Sequence, residues 1–135
     1  MNTTALFVGS FDPFHQGHQD IVARALTLFP RIVIGIGINP DKHYRQSTEE
    51  RLRAIERHYA DEPRVQVVAY DDMTVDLARR VGATCIVKGV RNAEDYAYEA
   101  RQAVSNRQAT GIETLLLPAD PALADISSTK IKQSR

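Results

Sequence analysis

Short apolar runs alternate with helical patterns in the first half of the chain. Residues 5–8 form an apolar run that is short enough for a strand and that ends at Gly9. From Gly17 onward, apolar residues recur at helical spacing, at Ile21, Val22, Ala25, Leu28 and Phe29. Residues 31–38 are almost continuously apolar, which is typical of a strand covered on both faces. The pattern therefore predicts a strand, a loop, a helix and a second strand.

The second half continues this alternation. Ser47-Thr48-Glu49-Glu50 has the form of a capping box and predicts a helix whose buried face carries Leu52, Ile55 and Tyr59. A strand over 65–70, a helix over 74–81 and a strand over 85–87 follow. A long helix from residue 92 towards 108, a strand over 112–117 and a closing helix capped by Ser127 or Ser128 complete the prediction.

Strands that alternate with helices indicate an α/β fold of the Rossmann-like, doubly wound type. We expect a parallel five-stranded sheet with helices on both faces. Ligands of such sheets bind beyond the carboxyl ends of the strands. The loops that follow the predicted strands, residues 9–18, 39–42, 71–74, 88–91 and 123–129, are therefore the candidate site.

Composition narrows the class of protein. The 135 residues suit a single domain over 1–135, and the 17 Lys and Arg balance the 17 Asp and Glu, which leaves no strong field for nucleic acid or an anionic membrane. Cys85 is the only cysteine, so no disulfide framework exists within the chain. The sequence starts without a secretory leader and has no run of membrane-spanning length. We expect a cytoplasmic protein without nucleic-acid or membrane partners.

Residues 9–18, Gly-Ser-Phe-Asp-Pro-Phe-His-Gln-Gly-His, have the features of an anion site. The chain lacks a P-loop motif, and Pro40 stands where a dinucleotide fingerprint starting at Gly35 would need its third glycine. Instead, Gly9 and Ser10 bring backbone amides and a hydroxyl to a strand end beside the start of a helix. His15 and His18, three residues apart, can share one face of that helix. The pair could bind a phosphate, bind a metal or lie in solvent.

The same stretch resembles the His-x-Gly-His signature of the nucleotidyltransferase superfamily, and Ile126-Ser127-Ser128-Thr129-Lys130-Ile131 resembles its C-terminal signature. Residues 39–42, 49–51, 87–91, 95–99 and 106–107 resemble bacterial phosphopantetheine adenylyltransferases in particular. The resemblance implies transfer of an adenylyl group from ATP to 4′-phosphopantetheine, which gives dephospho-coenzyme A and pyrophosphate by direct in-line attack. It also implies Mg²⁺ held through the ATP phosphates without a protein metal site, and a homo-oligomer, a hexamer in that family.

The resemblance also assigns roles to individual residues. The catalytic residues would be His18, Lys42 and Arg91. The residues that bind phosphopantetheine would be Ser10, Lys42, Thr74 and Lys88. The residues that bind ATP would be Ser10, Phe11, His18, Gly89, Val90, Arg91, Glu99, Leu123, Ala124, Asp125, Ile126, Ser127, Ser128 and Thr129.

Structural alternatives remain open for several of these residues. Lys42 follows a Pro-Asp turn and could be a solvated loop charge. Glu99 could form an ordinary ion pair on a helix surface, and residues 127–129 could be a helix N-cap. Lys88 and Arg91 are close cations that would repel each other unless an anion joined them. Tyr96 and Tyr98 suit packing or subunit contacts.

The chain departs from the family pattern at three positions. His15 stands where the family usually has threonine, Lys88 where it commonly has arginine, and Asp125 where it has an aromatic residue. The sequence also stops at Arg135, so we expect the family's C-terminal helical segment to be missing. Two alternatives remain: transfer to another acceptor, such as nicotinamide mononucleotide or a polyol phosphate, and a nucleotide-binding relative with impaired catalysis.

Overall fold

A computed structural model describes residues 3–123, within which the chain forms five strands and four helices. The strands are β1 (Thr4–Gly9), β2 (Arg31–Gly37), β3 (Val65–Tyr70), β4 (Ala83–Val90) and β5 (Glu113–Pro118). The helices are α1 (Gln16–Ala25), α2 (Thr48–His58), α3 (Thr74–Arg80) and α4 (Ala93–Thr110). Strand and helix alternate throughout, as the sequence pattern predicts.

The five strands form one parallel sheet in the order β3-β2-β1-β4-β5. The chain moves outward from β1 to β3 and then returns across β1 to β4, so the order reverses between β1 and β4. In a doubly wound sheet, that reversal opens a crevice at the carboxyl ends of the strands. The predicted α/β, Rossmann-like, five-stranded parallel sheet is confirmed.

Two hydrophobic clusters cover the two faces of the sheet, because side chains of a strand alternate between faces. On β1, Ala5 and Phe7 belong to the cluster that packs under α1 and α2, whereas Leu6 and Val8 belong to the cluster that packs under α3. β1 is thus buried on both sides, and its carboxyl end lies at the crevice.

The structure corrects three details of the predicted elements. Helix α1 ends at Ala25, and Leu28 is 58% exposed instead of lying on the buried helical face. Strand β4 is longer than expected and runs through Val90, so Lys88 and Gly89 lie inside the strand and not in a loop after it. Ile112 precedes β5, which starts at Glu113. Between residues 3 and 123, no helix is both long enough and apolar enough to cross a membrane.

Candidate active site at the carboxyl edge of the sheet

Two cavities open side by side at the carboxyl ends of the strands. The first, here called the Lys42 cavity, has a volume of about 440 Å³ and includes Ser10, Lys42, Thr74 and Lys88 in its lining. The second, the His18 cavity, has a volume of about 350 Å³. Its lining includes Phe11, His15, His18, Gly89, Arg91 and Leu123. Lys88, Tyr98 and Glu99 line both cavities and form their shared wall.

His15 and His18 build the first turn of α1. His15 is the N-cap, and its Nδ1 accepts a hydrogen bond from the backbone N–H of Gly17 at 3.1 Å. The backbone N–H of His15 in turn donates to Nδ1 of His18 at 3.0 Å. This is a capping box in which two imidazoles take the places usually held by Ser or Thr and by Glu. Gly17 is needed here, because an added Cβ would lie 3.0 Å from Cε1 of His15.

These hydrogen bonds fix the protonation of His18. Its Nδ1 accepts a hydrogen bond from the backbone N–H of His15, so the neutral ring carries its own proton on Nε2, which is left as a donor. Burial, and secondarily the neighbouring His15, lower the pKa of His18 to about 3. Burial and the charge of Arg91 also lower the pKa of His15. His18 is therefore a neutral hydrogen-bond donor at physiological pH and not a cation.

Aromatic rings surround His18 and account for its low pKa. Phe14 stacks on the His18 ring with centroids 5.4 Å apart, and Phe11 meets it edge-on at 4.8 Å. Phe11 is buried and has a positive φ of 49°, a strained backbone for a bulky residue. Gly9 accommodates this ring, since a Cβ at Gly9 would lie 3.0 Å from Cε1 of Phe11. The strained turn thus places the Phe11 ring directly against the histidine.

Asp12 ties this turn to the loop that carries Lys42. Its side chain is fully buried, and its two carboxylate oxygens accept hydrogen bonds from the backbone N–H groups of Arg45 at 2.7 Å and Gln46 at 2.9 Å. Hydrogen bonds to an ionised carboxylate are stronger than neutral ones. This link between two loops was not predicted from the sequence.

Arg51 is a buried cation beside the site. The side chain is only 1% exposed, and its Nη1 donates to the carbonyl oxygen of Ser10 at 2.7 Å. Sequence reasoning did not place Arg51 in the site. A usable signal existed, because Arg51 stands four residues before Ile55 and so shares the inward face of α2.

Each of the two cations on β4 and its following turn has an acidic partner on α4. Lys88 Nζ lies 3.2 Å from Oε2 of Glu99, whose side chain is 12% exposed. Arg91 Nε donates to Oδ2 of Asp95 at 3.0 Å. The predicted repulsion between Lys88 and Arg91 is therefore relieved within the chain, and Glu99 pairs with a strand residue and not along its own helix.

The structure brings most of the predicted site residues together. Ser10, Lys42, Thr74 and Lys88 share one cavity, and Phe11, His18, Gly89, Arg91 and Leu123 share the other. Glu99 lies on the wall between them, whereas Val90 is buried and lines neither cavity. The predicted residues Ala124, Asp125, Ile126, Ser127, Ser128 and Thr129 lie outside the described residues. The functional roles of all these residues stay predictions.

Comparison with known proteins decides the family. The family model described as cytidylyltransferase-like matches residues 6–134. Phosphopantetheine adenylyltransferases of Porphyromonas gingivalis and Phocaeicola vulgatus are 46% and 49% identical over 129 residues. These matches cover 96% of this chain and 84% and 85% of the relatives. The chain belongs to the phosphopantetheine adenylyltransferase family. A member from the more distant Kocuria rhizophila is 40% identical over 96% of this chain and 83% of its own length.

Solved structures agree on the fold of this phosphopantetheine adenylyltransferase family member. A bifunctional nicotinamide mononucleotide adenylyltransferase/ADP-ribose pyrophosphatase from Francisella tularensis superposes with a TM-score of 0.73 at 21% identity. That match covers 99% of this chain and 42% of the Francisella chain. A lipopolysaccharide core biosynthesis protein from Thermoplasma volcanium gives a TM-score of 0.64 at 17% identity, over 87% and 96% of the two chains. At these identities the likeness supports the architecture alone.

Proposed function

We propose that this chain transfers the adenylyl group of ATP to 4′-phosphopantetheine, releasing pyrophosphate and forming dephospho-coenzyme A. The proposal rests on one observation beyond family membership: two cavities of ligand size meet at a single wall, with cations on each side. A transfer between two bound molecules needs two such compartments whose reacting ends touch. We assign phosphopantetheine to the Lys42 cavity and ATP to the His18 cavity.

In the proposed reaction, an oxygen of the phosphopantetheine phosphate attacks the α-phosphorus of ATP. A new phosphorus–oxygen bond forms as the bond from the α-phosphorus to the bridging oxygen breaks, and pyrophosphate leaves with the bonding electrons. The attacking phosphate is already ionised, so the step needs neither a side-chain nucleophile nor a strong base. Catalysis then depends on alignment of the two phosphates and on stabilisation of charge.

His18 suits the charge-stabilising role because it is a pre-set neutral donor. Nδ1 is occupied by the backbone N–H of His15, and the packed aromatic rings hold the imidazole in place. Nε2–H can therefore donate to an oxygen of the α-phosphate without reorganising during the reaction. A donor that loses no free energy in reorientation stabilises the transition state more than one that must first turn.

In this proposal two cations bind phosphopantetheine and one binds ATP. Lys88 would exchange Glu99 for the phosphopantetheine phosphate, and Lys42 would approach the same phosphate from the opposite loop. Arg91, with its forked donors, would hold the outer phosphates of ATP. Ser10 would contribute its hydroxyl at the end of β1, and Thr74 would line the pantetheine arm.

We propose that magnesium reaches the site on the ATP phosphates. Residues 3–123 contain no group of three or more His, Cys, Asp or Glu side chains that could hold a metal. Three carboxylates line the cavities, and all are already paired: Asp72 with Arg80, Asp95 with Arg91 and Glu99 with Lys88. Phosphate and water oxygens are the ligands that magnesium prefers, and the ion would neutralise charge on the phosphates. The homo-oligomer, hexameric by resemblance, and the cytoplasmic location stay predictions.

The deciding experiment measures pyrophosphate release from ATP and magnesium with each of two acceptors. We expect release with 4′-phosphopantetheine and none above background with nicotinamide mononucleotide. The reverse preference would overturn the assignment of the acceptor. ATP binding by calorimetry without turnover on either acceptor would instead identify a nucleotide-binding relative that has lost catalysis.

A further inference from the structure

Arg51 lies behind the Lys42 cavity and contacts the ends of two strands. Its guanidinium donates to the carbonyl oxygen of Ser10 at 2.7 Å, to that of Gly37 at 3.5 Å and to the hydroxyl of Thr48 at 3.3 Å. All three acceptors are neutral oxygens. Arg51 does not line either cavity, so it cannot touch a bound substrate.

Tyr44 connects this guanidinium to the loop that carries Lys42. The central carbon of the Arg51 guanidinium lies 4.0 Å from the centroid of the Tyr44 ring, a cation–π contact. The Tyr44 hydroxyl accepts from the backbone N–H of Asn39 at 2.8 Å, and the carbonyl of Asn39 accepts from the backbone N–H of Lys42 at 3.0 Å. Contacts therefore run without a break from Ser10 through Arg51, Tyr44 and Asn39 to Lys42.

This chain of contacts has a physical consequence for the two residues at its ends. Ser10 and Lys42 belong to different loops, and Lys42 is a long, exposed side chain. Fixing the backbone beneath such a side chain reduces the conformational freedom that is lost when it binds a phosphate. Only a planar, forked cation can donate to two strand ends and stack on a ring at once.

We propose that Arg51 is a positioning residue for the acceptor phosphate, acting through Ser10 and through Tyr44 on the Lys42 loop. This inference rests on the proposed function, since it places phosphopantetheine in the Lys42 cavity. The His18 turn is held by its own reciprocal hydrogen bonds and by Phe14, which do not involve Arg51. Loss of Arg51 therefore weakens binding of the acceptor much more than binding of ATP.

The test compares Arg51→Lys and Tyr44→Phe with a matched control, Arg53→Lys. Arg53 is on the same helix but is exposed and paired with Glu49. Arg51→Lys keeps the charge and loses the fork, and Tyr44→Phe keeps the ring and loses the hydroxyl. We expect the KM for phosphopantetheine to rise about tenfold in Arg51→Lys and about threefold in Tyr44→Phe, the scale of one or two weakened hydrogen bonds. The KM for ATP should rise much less in both, because of the two ends of the chain of contacts only Ser10 is also predicted to bind ATP, and the control should match the wild type.

A second readout does not depend on turnover. We expect hydrogen exchange at the amides of Asn39 and Lys42, followed by NMR, to accelerate in both variants and to stay unchanged in Arg53→Lys. Equal rises in the two KM values, or unchanged exchange at both amides, would overturn the proposal. If Arg51→Lys fails to fold, the same two measurements on Tyr44→Phe decide. A wild-type chain without turnover would reject the proposed function, while the exchange data would still test the link from Arg51 to Lys42.

Discussion

His15 and His18 hold each other in place across the first turn of α1. Their rings stack with centroids 3.6 Å apart, and the backbone N–H of His15 donates to Nδ1 of His18 at 3.0 Å. Because each Nδ1 accepts a hydrogen bond from a backbone N–H, both rings are held in the tautomer that carries its proton on Nε2. The signature thus serves as a helix cap and holds the proposed catalytic donor, and the first three predictions depend on it.

His18→Ala removes the proposed donor to the α-phosphate. We expect kcat to fall about 100- to 1,000-fold, the usual scale for one transition-state donor, while the dissociation constant of ATP changes little. Steady-state kinetics and calorimetry measure the two effects. His58→Ala is the matched control, because that exposed histidine lines neither cavity, and its kcat should equal that of the wild type. An unchanged kcat in His18→Ala would remove the assigned role.

His15 can be replaced by threonine, the residue that the family usually has at this position. His15→Thr keeps an oxygen that can cap α1, whereas His15→Ala removes the cap and should lower the free energy of unfolding by about 1 kcal/mol. Both changes remove the ring that stacks on His18 and lowers its pKa. The pKa of His18, followed by NMR of the imidazole, should therefore rise in both variants. Equal stability of the two variants would show that the cap contributes nothing.

The lowered pKa of the partly buried His18 makes the free energy of unfolding depend on pH. His18 has a pKa of about 3 in the folded chain and about 6.5 when unfolded. Between these two pH values the unfolded state binds more protons than the folded state. Titration of His18 therefore leaves the free energy of unfolding unchanged above pH 6.5 and lowers it as the pH falls towards 3. The slope from His18 is at most about 1.4 kcal/mol per pH unit. Urea unfolding at several pH values measures it, and His18→Ala should show a smaller slope in this range.

Lys88 is proposed to bind the acceptor phosphate after leaving Glu99. Lys88→Met should raise the KM for phosphopantetheine at least about tenfold, because a charge-assisted hydrogen bond contributes about 1.5–3 kcal/mol. Lys88→Arg, which introduces the residue common in the family, should lower that KM through two-point contact with the phosphate. Inorganic phosphate should compete with phosphopantetheine for this site, and its binding provides a check that does not require turnover. Equal affinity of Lys88→Met and the wild type for phosphopantetheine and for phosphate would show that Lys88 only forms an ion pair with Glu99.

Gly9→Ala tests the packing behind His18. The new methyl group would lie 3.0 Å from the Phe11 ring, which must then move from its place against His18. We expect a loss of about 1–3 kcal/mol in stability, as for other overpacked sites, together with a lower kcat. Gly37→Ala is the control for stability only, because its nearest neighbour would be an ordinary 3.6 Å contact with the Tyr70 hydroxyl, although Gly37 itself lines the Lys42 cavity. Denaturant unfolding of both variants and kinetics of Gly9→Ala measure the two effects.

The sequence predicted the elements because its local signals agree with the fold. The Ser47 and Glu50 capping box forms with two hydrogen bonds of 3.1 Å, and Gly111 ends α4 with a φ of 80°. Leu28 was placed wrongly because the helical spacing continues after the backbone has left the helix at Ala25. Periodicity records where apolar residues fall and not where helical hydrogen bonds stop.

The candidate site was predictable where a residue follows a strand in a parallel sheet. Ser10 and Lys42 follow β1 and β2, and the sheet topology brings them to one cavity with Lys88, which lies inside β4 near its carboxyl end. Arg51 was missed because a long charged side chain on a helix is usually solvated, and its burial depends on two strand ends that are 14 and 41 residues away in sequence. Its role follows from tertiary contacts and from no local pattern.

The wall made by Lys88, Tyr98 and Glu99 has a consequence for inhibitor design. Two cavities that share a wall can be occupied by one molecule, and the proposed product would span both. A ligand with two tethered halves gains an effective concentration of its second half in the millimolar range for short linkers, so its affinity can exceed that of either half about 100- to 10,000-fold. The same geometry slows departure of the product, because both halves must detach before it diffuses away.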